Sequence, residues 1–298
     1  MALIALDDEV ARRRDLRAQL RALSADLVVP AATLHDLKLK AGERSVYRDA
    51  VRTGDAVEGG IALSLHHTGQ VHAHDLDPHG IIYPYPRTRQ KGHDRADVLA
   101  IENAFRQRVP LFVIEDLPRS RRRVHWGWVQ YINKDLGSCY VAFSDDPPIE
   151  FQDLGHETGE EWTGVGPRSR RVTTAPANDR NLRFRFLVRS RYHDRCPVTG
   201  VSVEEMLEAA RVVEAQDGGK DVAVNGILLD AGLHRAFEAN LWTIEPDTLR
   251  LVARPDGPTL REMGIALDGL APDSVLPARE ALEIRWRKFR RLANPTVH

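Results

Sequence analysis

"LEAARVVEAQDGGKDVAVNGILLDAGLHRAF", residues 207–237, decides the fold of the last third of this chain. The stretch opens with a segment, 207–213, that suits a short strand, and a loop with two adjacent glycines follows. An Asn225–Gly226 pair, typical of a turn, then leads into an apolar run. His234 follows this run and Phe237 lies at helical spacing from it, so a helix here can bury one side and present the imidazole on another.

The sequence around this stretch contains further elements in a recognisable order. An aromatic and arginine-rich lead-in comes first, and a C-x-V-T-G turn, an EAAR segment, the glycine pair, an N-G pair and an H-x-x-F pair follow. In this order of elements the segment 184–244 resembles the HNH endonucleases, also called ββα-metal or His-Me finger nucleases, of the modification-dependent restriction type. The residues that carry the resemblance are Phe184, Phe186, Arg189, Tyr192, Cys196, Val198, Thr199, Gly200, Glu208–Arg211, Gly218, Gly219, Asn225, Gly226, His234 and Phe237.

The resemblance implies a site in which two strands and a helix surround one divalent cation. Such a cation polarises the phosphate and stabilises the leaving oxygen; Mg²⁺ is the first expectation, with Mn²⁺ or Ni²⁺ as alternatives. His234 is expected to hold the cation, and Asn225 is expected to tie the loop between the strands. Glu208 is a second candidate ligand, although a solvated role for this glutamate stays open. Cys196 is expected to be a small core residue.

Arg211 stands where the family has the histidine that deprotonates the attacking water. Arginine stays protonated at physiological pH, so it cannot take that proton. General-base catalysis contributes about 10² to 10⁴ in rate. Three explanations stay open: Arg211 clamps the phosphate while His193, Glu214 or the metal activates the water; the domain grips DNA without cutting it; or the substitution was made deliberately to trap a substrate complex.

The length of 298 residues favours two domains of mixed α+β class. Residues 1–26 are expected to form an N-terminal helix. Residues 27–151 contain short apolar runs, typical of strands, with one helix among them. The polar segment 152–180 has the composition of a linker, and 181–298 form the ββα-metal HNH domain.

In its order of strands and helix, the region 27–151 resembles the PUA-like barrels of the SRA type, curved sheets with a packed helix. Such modules flip a base out of duplex DNA and enclose it between aromatic faces. The resemblance implies recognition of a modified base, although the tyrosines named below would equally suit the cap of an edge strand, and at least one of the tryptophans is expected in the core. The candidate DNA- or base-binding residues are Tyr83, Tyr85, Arg87, Arg89, Trp126 and Trp128.

Charge and composition fit a nucleic-acid partner. The formal net charge is only −1, but Arg contributes 36 of the 42 basic residues and clusters at 119–123, 168–171 and 285–291. Arginine suits bidentate phosphate contacts, although arginine-favouring codons would give the same excess. We therefore expect double-stranded DNA, and specifically modified DNA, as the partner. An RNA-binding PUA-like module is a further class, and it predicts a preference for structured RNA.

Other classes are not supported by the sequence. No apolar run approaches the ~18 residues that a membrane span needs, so we expect a cytoplasmic protein with no membrane partner. Two cysteines provide neither a disulfide framework nor a four-cysteine zinc site. Four histidines in the stretch 65–74 fit a polar strand face better than a metal site. Because one HNH site cuts one strand, a homodimer is a further expectation.

Overall fold

A computed structural model describes residues 6–40, 45–54, 56–68, 75–87, 91–154, 181–266 and 269–293. The chain divides into two compact units, Met1–Gly155 (unit 1) and His156–His298 (unit 2). Both contain helices and strands, which confirms the predicted α+β class. Among the described helices, none combines the length and the apolar character needed to cross a bilayer.

Unit 1 consists of one large sheet with helices on its faces. Its helices are α1 (Leu6–Leu23), α2 (Ala31–Asp36), α3 (Ala50–Thr53) and α4 (Lys91–Arg106). Its strands are β1 (Val28–Pro30), β2 (Val46–Arg48), β3 (Ala62–His67), β4 (Leu76–Asp77), β5 (Gly80–Pro84), β6 (Leu111–Leu117), β7 (Arg121–Asn133), β8 (Ser138–Phe143) and β9 (Gln152–Asp153).

The sheet is mixed and runs in the order β2-β3-β6-β7-β8-β5-β4, with β1 and β9 also paired to β7. The β3–β6 and β7–β9 pairs are parallel, and the other pairs are antiparallel. Within the described residues nothing pairs β2 with β4, so the sheet is not closed into the predicted barrel. Strands of three and two residues offer few groups for such a closure.

The predicted linker also begins too early. Gln152 and Asp153 pair with β7, because the backbone of Tyr131 and Ile132 provides a parallel edge beside them. Most of the remaining predicted linker, residues 155–180, lies outside the described residues.

Alternating side chains of the central strands build two apolar layers. In β6, Leu111 and Val113 belong to the cluster that includes Ile101 of α4. Phe112 and Ile114 belong to the opposite cluster, which contains leucines of α1 and α2. The sheet is thus covered by an apolar cluster on each face.

Unit 2 is built around a two-stranded hairpin between helices. Its elements are α5 (Leu182–Arg191), β10 (Leu207–Arg211), β11 (Gly226–Asp230), α6 (Ala231–Glu238), β12 (Trp242–Ile244), β13 (Leu251–Ala253) and α7 (Arg279–Ala293). Both strand pairs, β10–β11 and β12–β13, are antiparallel. The predicted order of strand, loop, strand and helix over 207–237 is confirmed.

Candidate functional site

The β10–β11 hairpin and the helix after it fix the candidate site. Glu208 pairs with Leu229 in the hairpin, and Arg211 pairs with Gly226. Asp230 caps α6 by accepting a hydrogen bond from the Leu233 amide at 3.0 Å, so the helix starts directly at the end of β11. At Gly226 a Cβ atom would lie 2.2 Å from a methyl carbon of Val188, so this position needs glycine for α5 to pack on the hairpin.

His234 lies between two carboxylates on α6 and β10. Its Nδ1 is 2.7 Å from Oε2 of Glu208, and its Nε2 is 3.2 Å from Oε1 of Glu238. The imidazole is 12% exposed, whereas the Glu208 and Glu238 side chains are 41% and 52% exposed. The largely buried imidazole thus contacts two carboxylates that solvent can reach. Glu238 was missed by sequence reasoning, although its position one helical turn after His234 was the available signal.

The chemistry of these donors fits a divalent cation. Carboxylate oxygens suit Mg²⁺ and Mn²⁺, and an imidazole nitrogen suits Ni²⁺. A metal-bound histidine commonly donates its other ring N–H to a carboxylate, and the two contacts of His234 provide this arrangement. The two carboxylates contact different nitrogens of the His234 ring, Glu208 at Nδ1 and Glu238 at Nε2. Across the described residues no group of three or more His, Cys, Asp or Glu side chains is placed to hold a metal ion.

Asn225 holds the loop between the two strands. Its Nδ2 donates to the carbonyls of Val213 at 3.0 Å and Lys220 at 2.9 Å, and its Oδ1 accepts from the Val213 amide at 2.9 Å. The residue has no solvent exposure. The loop after β10 is therefore pinned to the start of β11 by one side chain.

Arg211 faces away from His234. Glu208 and Arg211 are three residues apart in β10, so their side chains leave opposite faces of the hairpin. Arg211 donates through Nε to Oδ1 of Asp221 at 2.7 Å, and its guanidinium lies 4.9 Å from the ring centre of Phe184 in α5. The structure thus groups Glu208 with His234 on the α6 side and places Arg211 on the α5 side.

Residues 196–245 match the sequence profile of the HNH endonuclease family (HNH_2). Unit 2 contains an HNH endonuclease domain. This family consists of phosphodiester hydrolases. A comparison with curated proteins finds no match.

Comparison with solved structures finds weak overall likenesses. A modification-dependent restriction endonuclease, TagI, shares 16% identity, with 87% of this chain and 90% of that chain covered and a TM-score of 0.34. A type IV phosphorothioation-dependent restriction endonuclease, ScoMcrA, shares 13% identity, with 89% and 61% covered and a TM-score of 0.26.

Of the two other candidate bases in the HNH domain, Glu214 has cationic partners. Its Oε1 lies 3.0 Å from Nζ of Lys288 and 3.3 Å from Nη1 of Arg285. Both cations contact the same oxygen of this carboxylate, which holds Glu214 against α7. His193 lies in the exposed turn after α5 with a φ of 50°.

The motif residues upstream of the HNH hairpin are structural. Arg189 is buried and binds Asp194 and Glu204, with its closest atoms at 2.6 Å from each. Burial alone would lower the pKa of Arg189, but the hydrogen bonds and charges of these carboxylates outweigh it and raise that pKa. Cys196 is buried in the core, and Thr199 donates to Asp230 at 3.0 Å. The predicted core role of Cys196 is confirmed.

The predicted base-binding rings of unit 1 lie in its core. Tyr83 and Tyr85 are 4% and 8% exposed, and Trp126 and Trp128 are 5% and 3% exposed. The Tyr83 hydroxyl donates to the Ser45 carbonyl at 2.7 Å, so this ring is anchored inside the fold. These rings are thus packed inside the fold, whereas the sequence predicted an exposed surface on which bases could stack.

The two arginines predicted beside these tyrosines have different outcomes. Arg87 is exposed and reaches the Gly137 turn, where a Cβ would lie within 2.4 Å of its Nη2. Arg89 lies outside the described residues.

A polar cluster lies where β3, β6 and β7 meet at one end of the sheet. His67 pairs in register with Glu115, and His125 reaches Glu115 with Nε2 to Oε2 at 3.1 Å. The His125 ring stacks on Phe143 with centroids 4.4 Å apart and planes 11° apart. Burial lowers the pKa of both His67 and His125, and the nearby Glu115 carboxylate only partly offsets this effect. Neutral imidazoles beside an aromatic ring therefore line this strand end.

The other described histidine of this strand end is held by charged neighbours. His66 lies 2.5 Å from Oδ1 of Asp116 and 3.2 Å from Nζ of Lys40. His72 and His74 lie outside the described residues.

Proposed function

We propose that this protein is a metal-dependent endonuclease that hydrolyses DNA next to a feature recognised by unit 1. The observation that carries the proposal is His234 held between Glu208 and Glu238, within the segment that matches the HNH family. A restriction or defence role is part of the proposal.

Residues of α6 and β10 would hold the cation. His234 would be the nitrogen ligand, with Glu208 or Glu238 as the oxygen ligand and the other carboxylate orienting the ring. When bound, the cation would polarise the scissile phosphate and stabilise the leaving oxygen. Asn225 contributes by keeping the loop after β10 in place, because three hydrogen bonds depend on it.

The proton of the attacking water needs an acceptor other than Arg211. Glu208 and Glu238 are exposed enough to contact a substrate water, and either carboxylate can accept a proton. Glu214 is less suited because Lys288 and Arg285 bind it. Of Glu208 and Glu238, we assign the role of proton acceptor to the carboxylate that does not bind the cation. Comparison of pH–rate profiles for Glu208→Gln and Glu238→Gln assigns it.

Nicking of supercoiled plasmid tests the function directly. The wild-type chain is assayed with Mg²⁺, Mn²⁺, Ni²⁺ or EDTA, beside His234→Ala and the control His35→Ala, an exposed histidine of α2. We expect metal-dependent nicking in the wild type and in His35→Ala, and its loss in His234→Ala. Unaltered nicking by His234→Ala would refute the assignment.

A DNA clamp without catalysis is the second candidate. It is favoured by the presence of Arg211 itself, because a protonated guanidinium provides no general base at this position. Binding of duplex DNA without any nicking in all three metals would establish the clamp.

Unit 1 is proposed to read a modified base, in the manner of a PUA-like module. The support is the cluster of His67, Glu115 and His125 beside Phe143, because it combines polar edges with an aromatic ring. Plasmids with unmodified, methylated and hydroxymethylated cytosine are therefore the substrates of the nicking assay. Equal rates on all three would argue against recognition of cytosine modification.

A further inference from the structure

The final helix of unit 2, α7, carries basic residues on two distinct faces. Arg285 and Lys288 form the inner face, and both contact Glu214 in the loop between β10 and β11. Lys288 also lies 2.8 Å from Asp217, and Arg285 lies over the ring of Phe237 with 3.7 Å to its centre. The charges of the inner face are thus neutralised by Glu214 and Asp217, and these contacts attach α7 to the loop between β10 and β11.

The outer face has a different environment. Arg287, Arg290 and Arg291 are all exposed, and their spacing of three and four residues places them on one side of the helix. Within the part of the chain that the structure describes, no ion pair neutralises any of these three. The nearby Glu283 is bound by Arg279 at 3.1 Å.

From this contrast we propose that the outer face of α7, defined by Arg287, Arg290 and Arg291, binds the phosphate backbone of duplex DNA. The proposal rests on the proposed function and adds a second DNA-contact surface to unit 2. Residues 287–291 cover about 6 Å of helix axis, and duplex DNA carries about one negative charge per 1.7 Å. Three guanidiniums therefore meet a comparable density of phosphates, and each can bind two phosphate oxygens.

The helix dipole gives a competing explanation for part of this charge. Cations in the last turn of a helix stabilise it, and Arg290 and Arg291 lie in the last turn of α7. Arg287 lies before that turn, so the dipole does not account for it. Three like charges on one helical side also repel one another, which a purely structural role would avoid.

The test compares two double variants that remove the same charge from the same unit. Arg287→Gln/Arg291→Gln alters the outer face, whereas Arg195→Gln/Arg254→Gln removes two arginines that already bind the Gly200 carbonyl and Asp256. The affinity of each full-length protein for a short fluorescent DNA duplex is measured in EDTA at several salt concentrations. A double-stranded RNA of the same length is the second probe, and thermal unfolding confirms that each variant is folded.

We expect the outer-face variant to reduce the steepness of the slope of log affinity against log salt by about 1.8, and the control to leave it unchanged. Between 50 and 200 mM salt, the wild type would then lose about 12-fold more affinity than the outer-face variant. Equal slopes for both variants, lower stability with an unchanged slope, or a preference for the RNA would overturn the proposal. If the wild type nicks plasmid with metal but the slopes are equal, only this inference fails; if it neither nicks nor binds DNA, both fail.

Discussion

Replacement of Asn225 by alanine should open the loop between β10 and β11. The variant loses hydrogen bonds to the Val213 amide, the Val213 carbonyl and the Lys220 carbonyl. Lys220 is partly exposed and water can replace its bond, but Val213 is buried, so two polar groups stay unsatisfied. Each costs about 1 to 3 kcal/mol, so we expect local destabilisation of about 2 to 6 kcal/mol.

Hydrogen exchange read by mass spectrometry measures this effect in the full-length chain. In a peptide that covers 212–225, the protected amides should exchange about 30 to 3 × 10⁴ times faster in Asn225→Ala. A peptide from β6 or β7 of unit 1 serves as the internal reference and should not change. Gln216→Ala is the matched control, because Gln216 lies in the same loop with an exposed side chain.

Two outcomes would contradict the role assigned to Asn225. If Asn225→Ala exchanges like the wild type in this peptide, its three hydrogen bonds do not stabilise the loop. If Gln216→Ala exchanges as fast as Asn225→Ala, the loop is sensitive to any substitution and the role assigned to Asn225 is wrong.

Two further predictions concern charge. Asp221→Asn frees the guanidinium of Arg211 to contact a phosphate. Because such a half-buried ion pair contributes about 1 kcal/mol, the affinity for DNA in EDTA should rise about fivefold. An unchanged or lower affinity would count against Arg211 as a phosphate contact. Burial lowers the pKa of His67 and His125 in the folded state. The stability that their neutral forms contribute is therefore fully present above the ordinary histidine pKa of about 6.5, and it is lost as the pH falls below that value. The unfolding temperature of the full chain should therefore decrease from about pH 7 to pH 5, and less so in His125→Phe; a flat profile in the wild type would contradict this.

The elements of the HNH domain could be predicted because their signals are local. The strand that begins at Leu207, the loop, the Asn225–Gly226 turn and the helix with His234 follow one another within about thirty residues. The contacts of Arg211 could not be predicted, because Asp221 and Phe184 reach it through the loop fold and through the packing of α5.

The exposure predicted for Tyr83 and Tyr85 in unit 1 was wrong, because their burial depends on segments that are distant in the sequence. Tyr83 and Tyr85 lie among prolines and arginines, a local pattern that suggests an exposed loop. In the structure, β5 pairs with β8, and the apolar layer around α4 takes up both rings. A local sequence pattern does not contain this pairing, which joins residues almost sixty positions apart.

The arrangement around His234 favours a nuclease over a passive clamp. Glu208 and Glu238 place two exposed carboxylates beside the proposed phosphate site, and in the absence of a cation they would repel DNA. A clamp would gain affinity from neutral or basic residues at these positions. A divalent cation reverses this effect, because it neutralises the carboxylates and attracts the phosphate. The acidic pair is therefore a disadvantage for binding alone and an advantage for metal-dependent hydrolysis, even with arginine at position 211.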